Sequence, residues 1–185
     1  AGVHGIVIAG TTGEYYAQTT AERERMLSLG CEIINGRVPA IGGTGAIRTE
    51  ESIHFAKAAK AAGCSALLVA TPPYALPTGR ENALHALAVE RSVDMPVMLY
   101  NYPGRMGAMM DEEYLDRVCQ SPAFCAICSQ KYDSSAPNDV MRWSAIHART
   151  AANRETPPAR KRRRLEDDTA GAASAAEKIQ RSVDE

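Results

Sequence analysis

The segment 97–107, VMLYNYPGRMG, carries side chains that are costly in a protein core and useful in a site. An apolar run of strand type ends at Tyr100, and a Pro-Gly turn then leads to Arg105. A phenol can shuttle protons, and a guanidinium binds carboxylates in a bidentate manner. Taken alone, a tyrosine that ends a strand is more often an edge-of-core residue, and an arginine such as Arg105 is more often a surface cation.

A second polar turn, GTTG at 10–13, places Thr11 and Thr12 between Gly10 and Gly13. Hydroxyls and backbone N–H groups in such a turn can bind a carboxylate, and the glycines let the backbone approach a ligand closely. The same threonines could equally cap a helix or shape the turn.

Both turns belong to a repeating pattern of short apolar strands and amphipathic helices. Strands are predicted at 3–10, 38–46, 65–74, 95–105 and 123–128, and helices at 20–36, 48–63, 79–93 and 110–120. Thr20 and Thr49 are predicted N-caps, and Gly63 is a predicted C-terminal glycine.

The predicted strands are apolar throughout, which indicates an α/β fold with a parallel sheet covered by helices. An open doubly wound sheet and a (β/α)8 barrel both fit this pattern. The turns GTTG, GGTG, TPPY and YNYPGR all follow strand ends, and in a barrel those ends share one face, where active sites lie. No turn matches a dinucleotide-binding or P-loop motif.

Composition limits the function further. The chain has 185 residues, a net charge of -1 and 45% hydrophobic residues, which argues against a general nucleic-acid binder. No apolar run is long enough to span a membrane, and no signal peptide is recognised. Five scattered cysteines indicate reduced thiols in a cytosolic protein. Cys125 and Cys128 form a C-x-x-C, but no second cysteine pair and no nearby histidine supports a metal or redox site there.

The chain is predicted to divide near residue 128. Residues 1–128 form the α/β domain, 129–168 are a low-order charged segment, and 169–185 are a possible isolated helix. The basic cluster at 159–168 is interpreted as a solvated charge run, because acidic residues follow it directly. The start at Ala1, directly before a strand, suggests a truncated beginning.

Four segments together resemble one enzyme family. GIVIAGTTGEYYAQTTAERERML, GGTGA, LLVATPPYALPT and LYNYPGRMG resemble the dihydrodipicolinate synthase / N-acetylneuraminate lyase family, pyruvate-dependent class I aldolases on a TIM barrel. The resemblance covers about residues 1–127. It implies a partial (β/α)8 TIM barrel, with strands two to five and part of strand six.

The resemblance also implies roles for individual residues. Tyr100 would be the general acid/base, and Thr11 would link it to Tyr74, which in the family often comes from a neighbouring subunit. Arg105 resembles the arginine that binds the carboxylate of the aldehyde substrate, which favours the dihydrodipicolinate synthase branch. The substrate-binding set would be completed by Thr12, Gly10, Gly13 and Asn101.

The resemblance implies no cofactor, only a covalent imine between a lysine and pyruvate. The expected partners are pyruvate and an aldehyde, aspartate semialdehyde in this branch, in a cytoplasmic homo-oligomer of lysine biosynthesis. Neither a membrane nor a nucleic acid is expected as a partner.

The chain departs from the family where the imine should form. The family's lysine lies in an Ile-Lys-Glu pattern, but here Ile127 is followed by Cys128, whose thiol cannot form an imine. Lys131 is the only nearby amine, and it could serve only if the strand were shifted. We therefore expect the chain as given to lack aldolase activity.

Two other functions stay open. The chain could be an inactive fragment or an interaction module, because an incomplete barrel leaves sheet edges unpaired and favours association with another copy. It could also belong to another branch, such as N-acetylneuraminate lyase or a keto-sugar-acid aldolase or dehydratase. Imine formation at Lys131 would separate the enzymes from the inactive forms.

Overall fold

A computed structural model of the protein describes residues 2–129 and 142–145. Its first five strands are separated along the chain by helices, as the apolar pattern predicts. The strands are β1 Ile6–Ile8, β2 Ala40–Gly43, β3 Ala66–Ala70, β4 Val97–Asn101, β5 Phe124–Ser129 and β6 Arg142–Ala145. The helices are α1 Thr20–Ile34, α2 Thr49–Ala62, α3 Gly79–Ser92, α4 Pro103–Met106 and α5 Glu112–Val118.

The strand order decides between the two closures that the sequence left open. Strands β1 to β5 are parallel and lie side by side in chain order. A doubly wound sheet reverses its order at a switch point, whereas a (β/α)8 barrel adds each strand beside the previous one. The structure is therefore a partial TIM barrel, as the resemblance implied.

Strand β6 was not predicted. It pairs antiparallel with β5 and lies inside 129–168, the segment expected to have little order. Four residues of that segment thus form a strand. The other residues of the segment after Ser129, and the predicted helix at 169–185, lie outside the described residues. The domain boundaries stay a prediction.

Helix α1 begins with a capping box one residue earlier than predicted. The Thr19 hydroxyl accepts a hydrogen bond from the Glu22 backbone N–H, and a Glu22 carboxylate oxygen accepts one from the Thr19 N–H at 2.8 Å. Thr20 is the first helical residue, so the prediction of Thr20 as the cap is wrong. The Glu three residues after Thr19 is the signature of this motif.

The cap predicted for α2 is also wrong. Arg48 is the N-cap, and the Thr49 hydroxyl instead hydrogen-bonds to Nδ1 of His85 at 3.0 Å. Gly63 does end the helix in a left-handed conformation with φ 90°, which confirms that prediction. Asp111 caps α5 by accepting a hydrogen bond from the Tyr114 N–H at 2.9 Å.

The sheet separates two apolar clusters. The outer cluster lies between the sheet and the helices, and the inner cluster lies on the opposite face of the sheet. The inner cluster consists of Ile41, Ala66, Leu68, Ala70, Met98, Tyr100, Met106 and Cys128. The outer cluster is larger and includes Leu27, Leu67, Val69, Val89, Val97, Leu99, Tyr114, Val118 and Phe124.

Within the part of the chain that the structure describes, no helix is long and apolar enough to cross a membrane.

Candidate active site

Tyr100 lies on the inner face of β4, one residue before the strand ends. Successive side chains of a strand point to opposite faces, so Met98 and Tyr100 share the inner face while Leu99 packs outward. Only 5% of Tyr100 is exposed. The strand pattern therefore delivers one phenol to the carboxyl end of the sheet, where barrel enzymes hold their sites.

The turn after β1 brings Thr11 to that phenol. Thr11–Gly13 is a single 3-10 turn, in which the Gly13 N–H donates to the Gly10 carbonyl at 2.9 Å. The turn follows Ala9, whose φ of 57° is left-handed. Gly43 of β2 has no room for a side chain, because a Cβ there would meet the Ala9 carbonyl. The Thr11 side chain lies close enough to the Tyr100 hydroxyl to lower the pKa of the phenol.

Opposing influences act on the proton of Tyr100. Burial raises the pKa of the phenol, while the hydrogen bond with Thr11 and the charge of Arg105 lower it, with a net rise. The phenol is therefore protonated at neutral pH, and Thr11 and Arg105 both stabilise the phenolate that forms when it gives up its proton. This is the arrangement that a proton donor needs.

Arg105 lies in α4, the short helix that the Pro-Gly sequence forms beyond β4. It is exposed, and its Cζ lies 5.4 Å from the centroid of the Tyr102 ring. The Tyr102 ring in turn meets the Tyr100 ring edge to face, with centroids 6.3 Å apart. Sequence reasoning missed Tyr102. Its position two residues after Tyr100, on the same side of an extended chain, is the signal that could have found it.

The remaining predicted binding residues are arranged differently. Gly10 is half-buried, whereas Thr12 and Gly13 are exposed at the tip of the turn. The amide of Asn101 is occupied by protein groups: its nitrogen donates to Ser129 at 3.2 Å, and its oxygen accepts from the Met110 N–H at 3.3 Å. Asn101 thus fixes the ends of β4 and β5 relative to the following loop.

Tyr74 does not meet Thr11 within the single chain. It lies in the loop between β3 and α3 with 91% of its surface exposed. Its φ of 70° is left-handed, which is costly for a residue with a side chain. A strained, exposed aromatic residue is consistent with the expected contact from one copy of the chain to another, which stays a prediction.

Cys128 lies directly across from Tyr100 in the neighbouring strand. It is 3% exposed, and burial raises the pKa of its thiol to about 11. Cys125 is three residues earlier on the same strand, where the pairing with β4 shifts by one residue, and its thiol donates to the Val97 carbonyl at 3.5 Å. Lys131 lies outside the described residues.

A buried arginine holds the end of β2 and the residues that follow it. Arg23 is 2% exposed, and its two terminal nitrogens donate to the carbonyls of Gly45 and Gly43, each at 2.7 Å. Its guanidinium lies 4.6 Å from the Tyr15 ring centroid and 3.8 Å from that of Phe55. Burial lowers the pKa of Arg23 to about 10.

A cavity of about 580 Å³ lies beside Arg23. Tyr15, Arg48, Glu51 and His54 contribute to its wall, but Tyr100, Thr11 and Arg105 do not. The cavity is therefore separate from the candidate active site. Among the described residues, no group of three or more His, Cys, Asp or Glu side chains could hold a metal ion.

The chain is similar in sequence to a known enzyme family. The model of the dihydrodipicolinate synthetase family matches residues 1–142. A 4-hydroxy-tetrahydrodipicolinate synthase of Stenotrophomonas maltophilia (strain R551-3) is 41% identical over 151 residues, which are 82% of this chain and 49% of that protein. The synthase of Limosilactobacillus reuteri is 44% identical over 113 residues, 60% of this chain and 37% of that one.

Solved structures agree with the fold. The crystal structure of a chloride-inhibited dihydrodipicolinate synthase from Acinetobacter baumannii with pyruvate superposes with a TM-score of 0.68 at 36% identity. The match covers 71% of this chain and 45% of that one. Another dihydrodipicolinate synthase gives a TM-score of 0.69 at 31% identity. The chain thus spans less than half the length of these relatives.

Proposed function

The chain belongs to the dihydrodipicolinate synthetase family, and we propose that it carries the proton-transfer part of a pyruvate-dependent aldolase site. The reaction class is the condensation of pyruvate with an aldehyde. In the branch that the sequence favours, the aldehyde is aspartate semialdehyde.

The observation that supports this proposal is the placement of the Thr11 side chain beside the buried Tyr100 hydroxyl at the carboxyl end of the sheet. Thr11 and Tyr100 are 89 positions apart in the sequence and come from different strand–turn units. A buried phenol held by a hydroxyl and facing a cation can give a proton to a substrate oxygen and recover it. A tyrosine that served only the core edge would not need Thr11 beside its hydroxyl and the charge of Arg105 to lower its pKa.

Two anion-binding elements flank this phenol in the proposal. The N–H groups and hydroxyls of Thr11 and Thr12 suit the pyruvate carboxylate, since an exposed glycine-flanked turn leaves them accessible. Arg105 suits the carboxylate of the aldehyde, because its guanidinium is exposed and lies against the Tyr102 ring. Tyr74 of a second copy would extend the proton relay through Thr11.

Imine formation requires an amine, which Cys128 cannot provide. In the proposal Lys131 is the residue that attacks the pyruvate ketone, with loss of water. No further cofactor is needed for this chemistry.

A second candidate is a chain that binds pyruvate without turning it over. The position of Cys128 favours it, because a buried thiol with a raised pKa lies beside Tyr100 on the neighbouring strand. In that case the scaffold and the proton-transfer pair remain while the nucleophile is lost.

Borohydride trapping separates the two candidates. The chain is incubated with pyruvate and sodium borohydride, and the modified lysine is identified by peptide mass spectrometry. Lys57 and Lys60, exposed residues of α2, serve as internal controls for non-specific reaction. Pyruvate binding is measured in parallel by calorimetry on the wild type and on Tyr100→Phe and Thr12→Ala.

An adduct confined to Lys131 supports the aldolase. Binding that Thr12→Ala weakens, without any adduct, supports the pyruvate-binding chain. Absence of both adduct and binding refutes the proposal in either form.

A further inference from the structure

Two cysteines meet in the outer layer, at the end of the sheet opposite the candidate active site. Cys31 lies in the last turn of α1, and Cys64 lies between the end of α2 and the start of β3. Their sulfur atoms are 3.5 Å apart, although the residues are 33 positions apart in the sequence. A disulfide has its sulfurs about 2.0 Å apart, so the two sulfurs must approach by about 1.5 Å to form one.

The backbone around the pair is well fixed. The Cys64 N–H donates to the Ala59 carbonyl at 3.0 Å, and the neighbouring Ser65 N–H donates to the Ala40 carbonyl of β2 at 2.8 Å. Cys31 lies within a helix that packs on the same outer cluster. The two thiols are thus carried by two elements that pack on the same cluster.

The environments of the two thiols differ. Cys64 is 8% exposed, and burial together with the Cys31 sulfur raises the pKa of its thiol to about 12. Cys31 is only half-buried, so a small oxidant can reach it from solvent. Cys31 is therefore the entry point, and Cys64 is the resolving partner behind it.

We propose that Cys31 and Cys64 are a redox-sensitive dithiol that a low-molecular-weight disulfide, such as glutathione disulfide, oxidises reversibly to an intramolecular disulfide. Cys31 attacks the oxidant, forms a mixed disulfide and releases one thiol. Cys64 then attacks the Cys31 sulfur and releases the second thiol. The two protein thiols lose two hydrogens and two electrons, and the oxidant gains them as two thiols.

The disulfide would join α1 to the strand that follows α2. It would thereby close a 33-position loop in the unfolded chain, which disfavours unfolding. Disulfides in reducing compartments are mostly transient or redox-sensing, and a pair in which one thiol is reachable from solvent fits that class. The proposal does not depend on the chemistry at Tyr100, because the pair lies at the opposite end of the sheet.

The test uses the full chain in glutathione buffers of increasing oxidised fraction, followed by alkylation and tryptic digestion. Cys31 falls in peptide 26–37 and Cys64 in peptide 61–80, each with a single cysteine. We expect a linked species about 2 Da lighter than the sum of the two peptides. The same oxidation in urea shows which disulfides form when the fold does not select them.

The expected result is that the 31–64 link exceeds every other cysteine pairing at least tenfold in native buffer and loses that preference in urea. Cys31→Ser and Cys64→Ser should each abolish it, and Cys119→Ser should leave it intact. The oxidised chain should melt higher by on the order of 5–10 °C, and dithiothreitol should reverse this.

Three results would overturn the proposal. One is a 31–64 link no more abundant in native buffer than in urea. Another is oxidation that stops at glutathione on Cys31. The third is a linked chain that melts lower than the reduced one. Disulfide mapping by mass spectrometry on the wild-type chain tests the first two of these results, so they can be decided even where a cysteine variant fails to fold.

Discussion

The two faces of the sheet are built from the same five parallel strands yet differ in what they contain. The outer cluster is large, aliphatic and aromatic, and it includes the fully buried Leu67, Val69 and Phe124. The inner cluster has eight buried members, and one of them is Tyr100, the phenol of the candidate active site. Because side chains alternate along a strand, neighbouring residues can serve stability and chemistry separately.

The sharpest test of this division uses two adjacent leucines of β3. Leu67 is fully buried in the outer cluster, and Leu68 belongs to the inner one. We expect Leu67→Ala to lower the free energy of unfolding by about 4 kcal/mol, because it removes a side chain from a densely packed layer. Leu68→Ala should cost about 2 kcal/mol or less. Urea unfolding of both variants gives the comparison, and equal losses would contradict it.

The outer layer should also be sensitive to acid through His85. Burial lowers the pKa of His85 to about 4, and its Nδ1 is hydrogen-bonded to the Thr49 hydroxyl. The unfolded chain takes up this proton near pH 6.5, so stability falls as the pH drops from 6.5 toward 4. We expect about 3 kcal/mol of this loss at pH 4 to come from His85.

The measurement for His85 is the free energy of unfolding against pH for the wild type and His85→Gln, whose profile should be flatter over that interval. His54→Gln is the matched control, since His54 is exposed and paired with Glu24. A wild-type profile parallel to that of His85→Gln would show that the buried histidine contributes nothing.

A smaller loss of stability is expected at Arg23, which holds the end of β2 through two hydrogen bonds. Arg23→Lys keeps the charge but cannot reach the Gly43 and Gly45 carbonyls together, which the fork of Arg23 does. We expect a loss of about 2 kcal/mol in the free energy of unfolding. Arg25→Lys, at an exposed position of the same helix, should change it by less than about 0.5 kcal/mol. Equal losses of unfolding free energy in Arg23→Lys and Arg25→Lys would show that the two hydrogen bonds of Arg23 do not stabilise the fold.

Of these substitutions, Tyr100→Phe should change the free energy of unfolding least and the trapping of pyruvate most. Tyr100→Phe keeps the ring in the inner cluster and removes the hydroxyl that Thr11 contacts. We expect less than about 1 kcal/mol of change in unfolding free energy. Trapping of pyruvate at Lys131, where the wild type supports it, should fall at least tenfold. Unchanged trapping would mean that the phenol does not act in proton transfer.

Much of the fold could be predicted because its signals are local. The apolar runs of β3 and β4 and the helical spacing of Leu27 and Ile34 each lie within a short segment. The cap of α1 was misplaced by one residue because two threonines stand side by side, and only the pairing with Glu22 selects Thr19. The short helix α4 was read as a turn, since four residues give no period.

The candidate site was only partly predictable. Tyr100, Thr11 and Arg105 were predicted from their places after strands and from the family resemblance. Tyr102 and the buried Arg23 were missed, since an arginine near a helix start reads as solvent-exposed. Its burial depends on Tyr15 and Phe55 closing over it from separate segments.

The sequence by itself determined the order of β1 to β5 and of helices α1, α2, α3 and α5, the polar turns at the strand ends and the cysteine in place of the expected lysine. Those features depend on residues close together in the chain. Only the tertiary structure decided that Thr11 meets Tyr100 and that Cys31 meets Cys64. Such contacts depend on the register between strands and on how helices pack across them, which no local pattern encodes.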